Sequence, residues 1–193
     1  MRRVAVIGCG GAGKTTLARE LGARLGLPVV HADFVVYRTG DAPRPELEWQ
    51  AELAALADGE AWVIDAMKVS SLEHRVARAD TVVFLDLPRR ACYLGVLRRR
   101  LRYRGVVDRE RGVADRITWE FLRWVGRFPR EVRPRILDVL ERHAATTEVV
   151  VLRTRRQVRG WLRRVPERTS HQRSASASTT PNPIAAPAPP AKA

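Results

Sequence analysis

The sequence is short of the residues that disulfide-bonded, membrane-spanning and guanine-reading proteins depend on. Two cysteines, Cys9 and Cys92, in 193 residues are too few for a disulfide framework, so a reducing, cytoplasmic compartment is expected. No apolar run approaches the roughly 20 residues that a membrane-crossing helix requires. The chain enters a strand-like run at once, without a signal-peptide pattern, and no membrane partner is expected. Asn182 is the only asparagine, which excludes the Asn-Lys-x-Asp pattern of a GTPase switch. Lysine is almost missing too: Lys14, Lys68 and Lys192 are the only three among 35 basic residues.

Arginine supplies the remaining positive charge. The formal net charge is +14, and residues 89–135 hold 15 arginines against five acids. A basic field focused in this way suits a polyphosphate or a nucleic-acid backbone. Length and a 45% hydrophobic content fit one domain with a single core. From about residue 166 the chain is mostly Ala, Pro, Ser and Thr, with Ile184 the one large aliphatic side chain. Residues 166–193 are therefore expected to be a disordered tail, and 1–165 the folded domain.

Lys14 stands in the most informative segment, Gly8-Cys9-Gly10-Gly11-Ala12-Gly13-Lys14-Thr15. Glycines at these offsets let successive backbone N–H groups converge on phosphate oxygens, and the following helix adds its positive end. Lys14 then reaches the β- and γ-phosphates, and the Thr15 hydroxyl is a ligand for Mg²⁺. The nucleotide contacts expected are Gly8, Gly10, Gly11, Ala12, Gly13, Lys14, Thr15 and Thr16, with ATP and Mg²⁺ as cofactors. Cys9 fills a free position of the pattern and reads as an inert thiol.

Strand-like aliphatic runs at 3–7, 28–31, 61–65, 81–85 and 147–152 alternate with helical stretches at 15–25, 45–57, 70–79, 89–104, 115–127, 130–144 and 155–164. Such alternation predicts an α/β fold, a parallel sheet covered on both faces, with ligands beyond the carboxyl ends of the strands. At those ends Asp65 is the candidate metal carboxylate, opposite Thr15. Asp33 is the candidate that orients or deprotonates an acceptor. Asp86 precedes Leu87-Pro88 and reads as a turn or helix-entry residue. His31 reads as a packed strand-end histidine. Arg116, Glu120, Arg123 and Arg127 share one helical face, while Ile117, Phe121, Trp124 and Phe128 share another. Arg98 and Arg102 lie one turn apart on the preceding helix, and Gly105 to Asp115 between the two helices reads as a mobile flap. Arginines closing over a nucleotide would exclude water and neutralise the transferring phosphoryl group.

Taken in order, the phosphate loop, His31-Ala32-Asp33, Val63-Ile64-Asp65, Phe84-Leu85-Asp86-Leu87-Pro88-Arg89 and the arginine-rich run ending at Gly105 resemble the adenylate-kinase-like DNA topology modulation proteins. The resemblance spans residues 1 to about 164 and includes Glu120 to Trp124 and Leu152 to Arg156. It implies a P-loop fold of the nucleotide and shikimate kinase type. That fold has a five-stranded parallel core, an acceptor-binding insertion at about 34–58 and a helical lid at about 98–127. It also implies that Lys14, Asp33, Arg98, Arg102 and Arg127 serve catalysis. The sequence departs from the family's Gly-Asn-Tyr after the third strand and reads Ala66-Met67-Lys68, so Lys68 becomes a candidate contact for an acidic acceptor.

Two functions remain open on these residues. One is a kinase passing the γ-phosphoryl group of ATP to a small molecule or nucleotide, acting as a monomer or homodimer. The other is a nucleic-acid-associated ATPase, suggested by charge and by the family. The kinase is favoured, because no DNA-binding motif is present and the excess charge lies where a kinase needs a lid.

Overall fold

A computed structural model of the chain describes residues 1–37, 43–66, 68–102 and 117–167, without the side chains of Phe34 and Arg102. The flap at 105–115 and the tail beyond 167 lie outside the described residues, as does Met67.

Five aliphatic runs form the strands β1 (Arg3–Gly8), β2 (Val29–His31), β3 (Trp62–Asp65), β4 (Thr81–Leu85) and β5 (Glu148–Leu152). All pair in parallel, in the order β2-β3-β1-β4-β5. Runs such as Val4-Ala5-Val6-Ile7 and Val82-Val83-Phe84-Leu85 are at most 1% exposed, as expected of strands covered on both faces. The helices between them are α1 (Lys14–Leu25), α2 (Ala32–Tyr37), α3 (Glu46–Ala57), α4 (Leu72–Arg78), α5 (Arg89–Arg102), α6 (Trp119–Glu131), α7 (Arg133–Arg142) and α8 (Arg155–Arg164). The α/β architecture with a five-stranded parallel sheet is that of P-loop kinases. Among the described residues no helix is long and apolar enough to cross a membrane.

The topology places the site. β1 lies between β3 and β4, so the chain leaves it at the point where strand order reverses. That crevice is where open α/β sheets bind ligands.

Two boundaries differ from the sequence expectation. Helix α2 follows β2 with no intervening residue, and six residues are too few to show a helical period. Asp33 therefore sits in the first turn of a helix rather than in a strand-end loop. The break between α6 and α7 falls at Val132, and Pro129 is inside α6. Pro134 occupies the first turn of α7, where a missing N–H costs nothing.

Candidate active site

The loop after β1 is built against three neighbours. Gly11 (φ 77°) and Gly13 (φ 96°) adopt left-handed backbone, which side chains resist. Backbone crowds Gly11 and a guanidinium crowds Gly13 as well. A Cβ on Gly11 would stand 2.2 Å from the Cys92 carbonyl oxygen of α5, and one on Gly13 would stand 2.6 Å from Arg155 Nη1. From the other side, a Cβ on Gly95 of α5 would lie 2.0 Å from the Gly11 carbonyl oxygen. The ring of Phe121, on α6, takes the space a Cβ on Gly10 would fill, at 2.6 Å. Arg155 in the first turn of α8 donates from Nη1 to Ala12 O at 2.8 Å and from Nη2 to Gly11 O at 3.0 Å. Lys14 Nζ donates to Cys9 O at 3.0 Å, folded back along the loop it serves.

Asp65, 6% exposed, joins the loop to β3. Its Oδ2 accepts from Thr15 Oγ1 at 2.8 Å, and its Oδ1 lies 2.5 Å from His31 Nδ1. Burial pushes the Asp65 pKa up. The His31 hydrogen bond and charge, the Thr15 hydroxyl and the Lys14 charge outweigh it, so the carboxyl is held below its usual range. Thr15 and Asp65 thus present adjacent hard oxygens, the donor chemistry that Mg²⁺ takes together with phosphate oxygens. Among the described residues no group of three or more His, Cys, Asp or Glu could hold a metal by itself. A magnesium ion here would share its ligands with a nucleotide.

The remaining candidates divide. Asp33 is half-buried on α2, and its charge adds to burial in raising the Tyr37 pKa one turn later. Arg98 acts electrostatically on Arg155, whose pKa is lowered first by burial and then by Arg98 and Arg159. Arg127 is exposed and pairs with Glu131 on its own helix at 3.6 Å. The Arg102 side chain and Arg116 lie outside the described residues. Thr16 is exposed on the first turn of α1. Along α6, Phe121 stacks on Trp124 at 6.1 Å and Trp124 meets Phe128 edge-on at 5.4 Å; Phe128 is buried and Phe121 and Trp124 pack against the core, so this face docks the helix.

Three contacts had no signature in the sequence. His31 is a partner of Asp65 rather than only packing at a strand end. Asp86, read as a turn residue, accepts a fork from Arg133 Nε and Nη2 at 2.8 and 2.9 Å, fastening α7 to the end of β4. Arg155 has no local feature that marks it among so many arginines. The one available signal is its place in the first turn after the last strand, at the edge where the loops converge. Cys9 and Cys92 are both free and buried, and the hydrogen bond with Cys92, followed by burial, pushes the Cys9 thiol pKa up.

The structure is similar to three solved kinases. A shikimate kinase from Acinetobacter baumannii in complex with shikimate aligns with TM-score 0.55 at 17% identity, over 86% of this chain and 90% of that one. A gluconokinase from Sinorhizobium meliloti 1021 aligns with TM-score 0.48 at 16% identity, over 91% and 97%. A deoxyadenosine kinase from M. mycoides with bound dCTP gives 0.43 at 11% identity, over 83% and 96%. The first of these shows the shared fold. No curated protein sequence matches the chain. The family model described as AAA domain matches residues 3–180, nearly the whole sequence, and the chain belongs to that family as a P-loop, kinase-like member.

Proposed function

We propose that the protein transfers the terminal phosphoryl group of ATP to a small-molecule or nucleotide acceptor. Within the AAA domain family we group it with the DNA topology modulation proteins, on the segments that follow its strands, and we place it in the cytoplasm. The observation that carries the kinase reading is the Thr15–Asp65 hydrogen bond of 2.8 Å. It couples the phosphate loop to a carboxylate whose two oxygens are already engaged.

Backbone N–H groups from Gly8 to Thr16 cradle the triphosphate, and Lys14 exchanges Cys9 O for phosphate oxygens. Bound Mg²⁺ neutralises phosphate charge and orients the γ-phosphorus. Thr15 and Asp65 are the residues that would hold the metal. Asp65, held ionised below the usual carboxylate range, is a poor proton acceptor. We assign the role of base to Asp33, in the first turn of α2 just beyond β2. The acceptor hydroxyl oxygen bonds to the γ-phosphorus as the bond to the β–γ bridging oxygen breaks. ADP leaves with that electron pair, and the hydroxyl proton passes to Asp33. Arg98, Arg102 and Arg127 supply positive charge to the transferring group, Arg127 once released from Glu131.

The test is radiolabelled ATP against nucleoside monophosphates, nucleosides and small hydroxy acids, with Lys14→Ala as control. Label transfer abolished by Lys14→Ala supports the reading. ATP hydrolysis stimulated by DNA at physiological salt, with no acceptor labelled, overturns it in favour of a nucleic-acid-associated ATPase.

A further inference from the structure

Arg75 is an unusual residue for the interior of this fold. It lies on α4 at 1% exposure, with Nε donating to Ser71 O at 3.1 Å and Nη2 to Lys68 O at 3.0 Å. Its Nη1 is buried with no hydrogen-bond partner. Burial lowers the pKa to about 10, partly opposed by the charge of Asp65, so the group is a cation at neutral pH. Buried charges are ordinarily paired and hydrogen-bonded. The nearby acid, Asp65, has already committed its oxygens to Thr15 and His31.

A second cation stands beside it without a counter-charge. Lys68 Nζ lies over the Trp49 ring of α3, 6.0 Å from its centroid, and pairs with no carboxylate among the described residues. Lys68 and Arg75 are the two charged residues on a void of ≈ 10 Å³ whose remaining lining is Gly8 and apolar side chains such as Ile7, Ala66, Leu72 and Ile136. That is room for about one oxygen-sized atom. The void sits at the carboxyl ends of β1 and β3, against the first glycine of the phosphate loop. Arg75 also borders a cleft of ≈ 290 Å³ between α3 and α4. A water in the void would leave both charges uncompensated, whereas one oxygen of an oxyanion reaching into it would answer both.

We infer that the acceptor carries an oxyanion, a carboxylate or a phosphate, which Arg75 Nη1 and Lys68 Nζ receive beside Gly8. This rests on the kinase reading and narrows its substrate class. A neutral analogue would leave the buried guanidinium unpaired, and sites built in this way discriminate strongly against the molecule lacking the charged group.

The experiment separates the inference from the reading beneath it. Full-length protein is saturated with Mg²⁺ and a non-hydrolysable ATP analogue, so that the loop is filled, and then titrated calorimetrically with inorganic phosphate and with citrate. At least one probe is expected to bind, and Lys68→Met and Arg75→Met are each expected to weaken it about tenfold or more. Should Arg75→Met fail to fold, half-buried Lys68 carries the test. Absence of binding by both probes, or equal binding by wild type and Lys68→Met, overturns the inference. The same protein is then assayed with AMP against adenosine and gluconate against glucitol. Preference for the acid of either pair by tenfold or more supports the inference and tells phosphate from carboxylate. Equal turnover of acid and neutral members overturns it while leaving the kinase standing. Oxyanion binding that depends on Lys68, without turnover of any acceptor, keeps the site and counts against the kinase.

Discussion

Arg155 and Ala12 are 143 residues apart in sequence and joined by a 2.8 Å hydrogen bond from Nη1 to the loop carbonyl. With Nη2 on Gly11 O, one guanidinium fixes two successive peptide units of the phosphate loop through their carbonyls. Removing it frees those carbonyls and loosens the loop. Arg155→Met is expected to raise the ATP KM about tenfold, as losing charge-assisted hydrogen bonds of about 1.5–3 kcal/mol implies, while kcat at saturation falls less. Steady-state kinetics over an ATP series checks the split.

Thr15→Ala removes the hydroxyl from Asp65 and from the metal together. The magnesium concentration for half-maximal activity should rise about tenfold or more, because Mg²⁺ leans on few protein ligands. Thr15→Ser should restore it. A magnesium titration at fixed ATP reads both variants.

Asp80 sets an acid limit on stability. Burial raises its pKa, but the backbone N–H groups of Arg2 and Arg3 and the Thr81 hydroxyl lower it further, and the net shift is downward. A folded value below the unfolded one means that ionised Asp80 stabilises the fold at every pH above the unfolded value, about 3.9. That contribution is lost as pH falls through the folded value. Asp80→Asn is expected to lower Tm at pH 7 and to flatten the fall in Tm between about pH 5 and pH 2. Thermal melts of the two proteins across that range give the comparison.

Two glycines within helices should respond oppositely to alanine. A Cβ at Gly95 would meet the Gly11 carbonyl at 2.0 Å, whereas one at Gly160 meets nothing within 4 Å. Gly160→Ala should stabilise by about 0.5–1 kcal/mol through helix propensity. Gly95→Ala should lower Tm and cost about tenfold or more in ATP affinity, since backbone must move to admit a methyl group that overpacks the contact. Melting curves and nucleotide titration of the two variants are the check.

What the sequence made legible follows from the range of the interactions. The strands stand out as short aliphatic runs, the central three, β1, β3 and β4, being buried on both faces. The loop stands out because its glycines, lysine and threonine act on one ligand from neighbouring positions. Asp65 could be found because an acid ending an apolar run is costly unless something engages it, and Thr15 does. Helix α2 could not be read, being shorter than two turns. Nor could the partners of Asp86 and the role of Arg155: a chain with so many arginines gives no local sign of which one folds back onto which oxygen. His31 was legible in position and illegible in purpose, since its partner lies 34 residues away on a neighbouring strand.

The ring of Phe121 and the bare α-carbon of Gly10 claim one volume between them. Bulk added at residue 10 must be surrendered at residue 121. Gly10→Ala alone should be harsh, Phe121→Leu alone mild, and the pair together gentler than their sum. The tenth residue is thus a glycine for its neighbour's sake: the loop's composition is dictated in part by an aromatic side chain more than a hundred residues downstream.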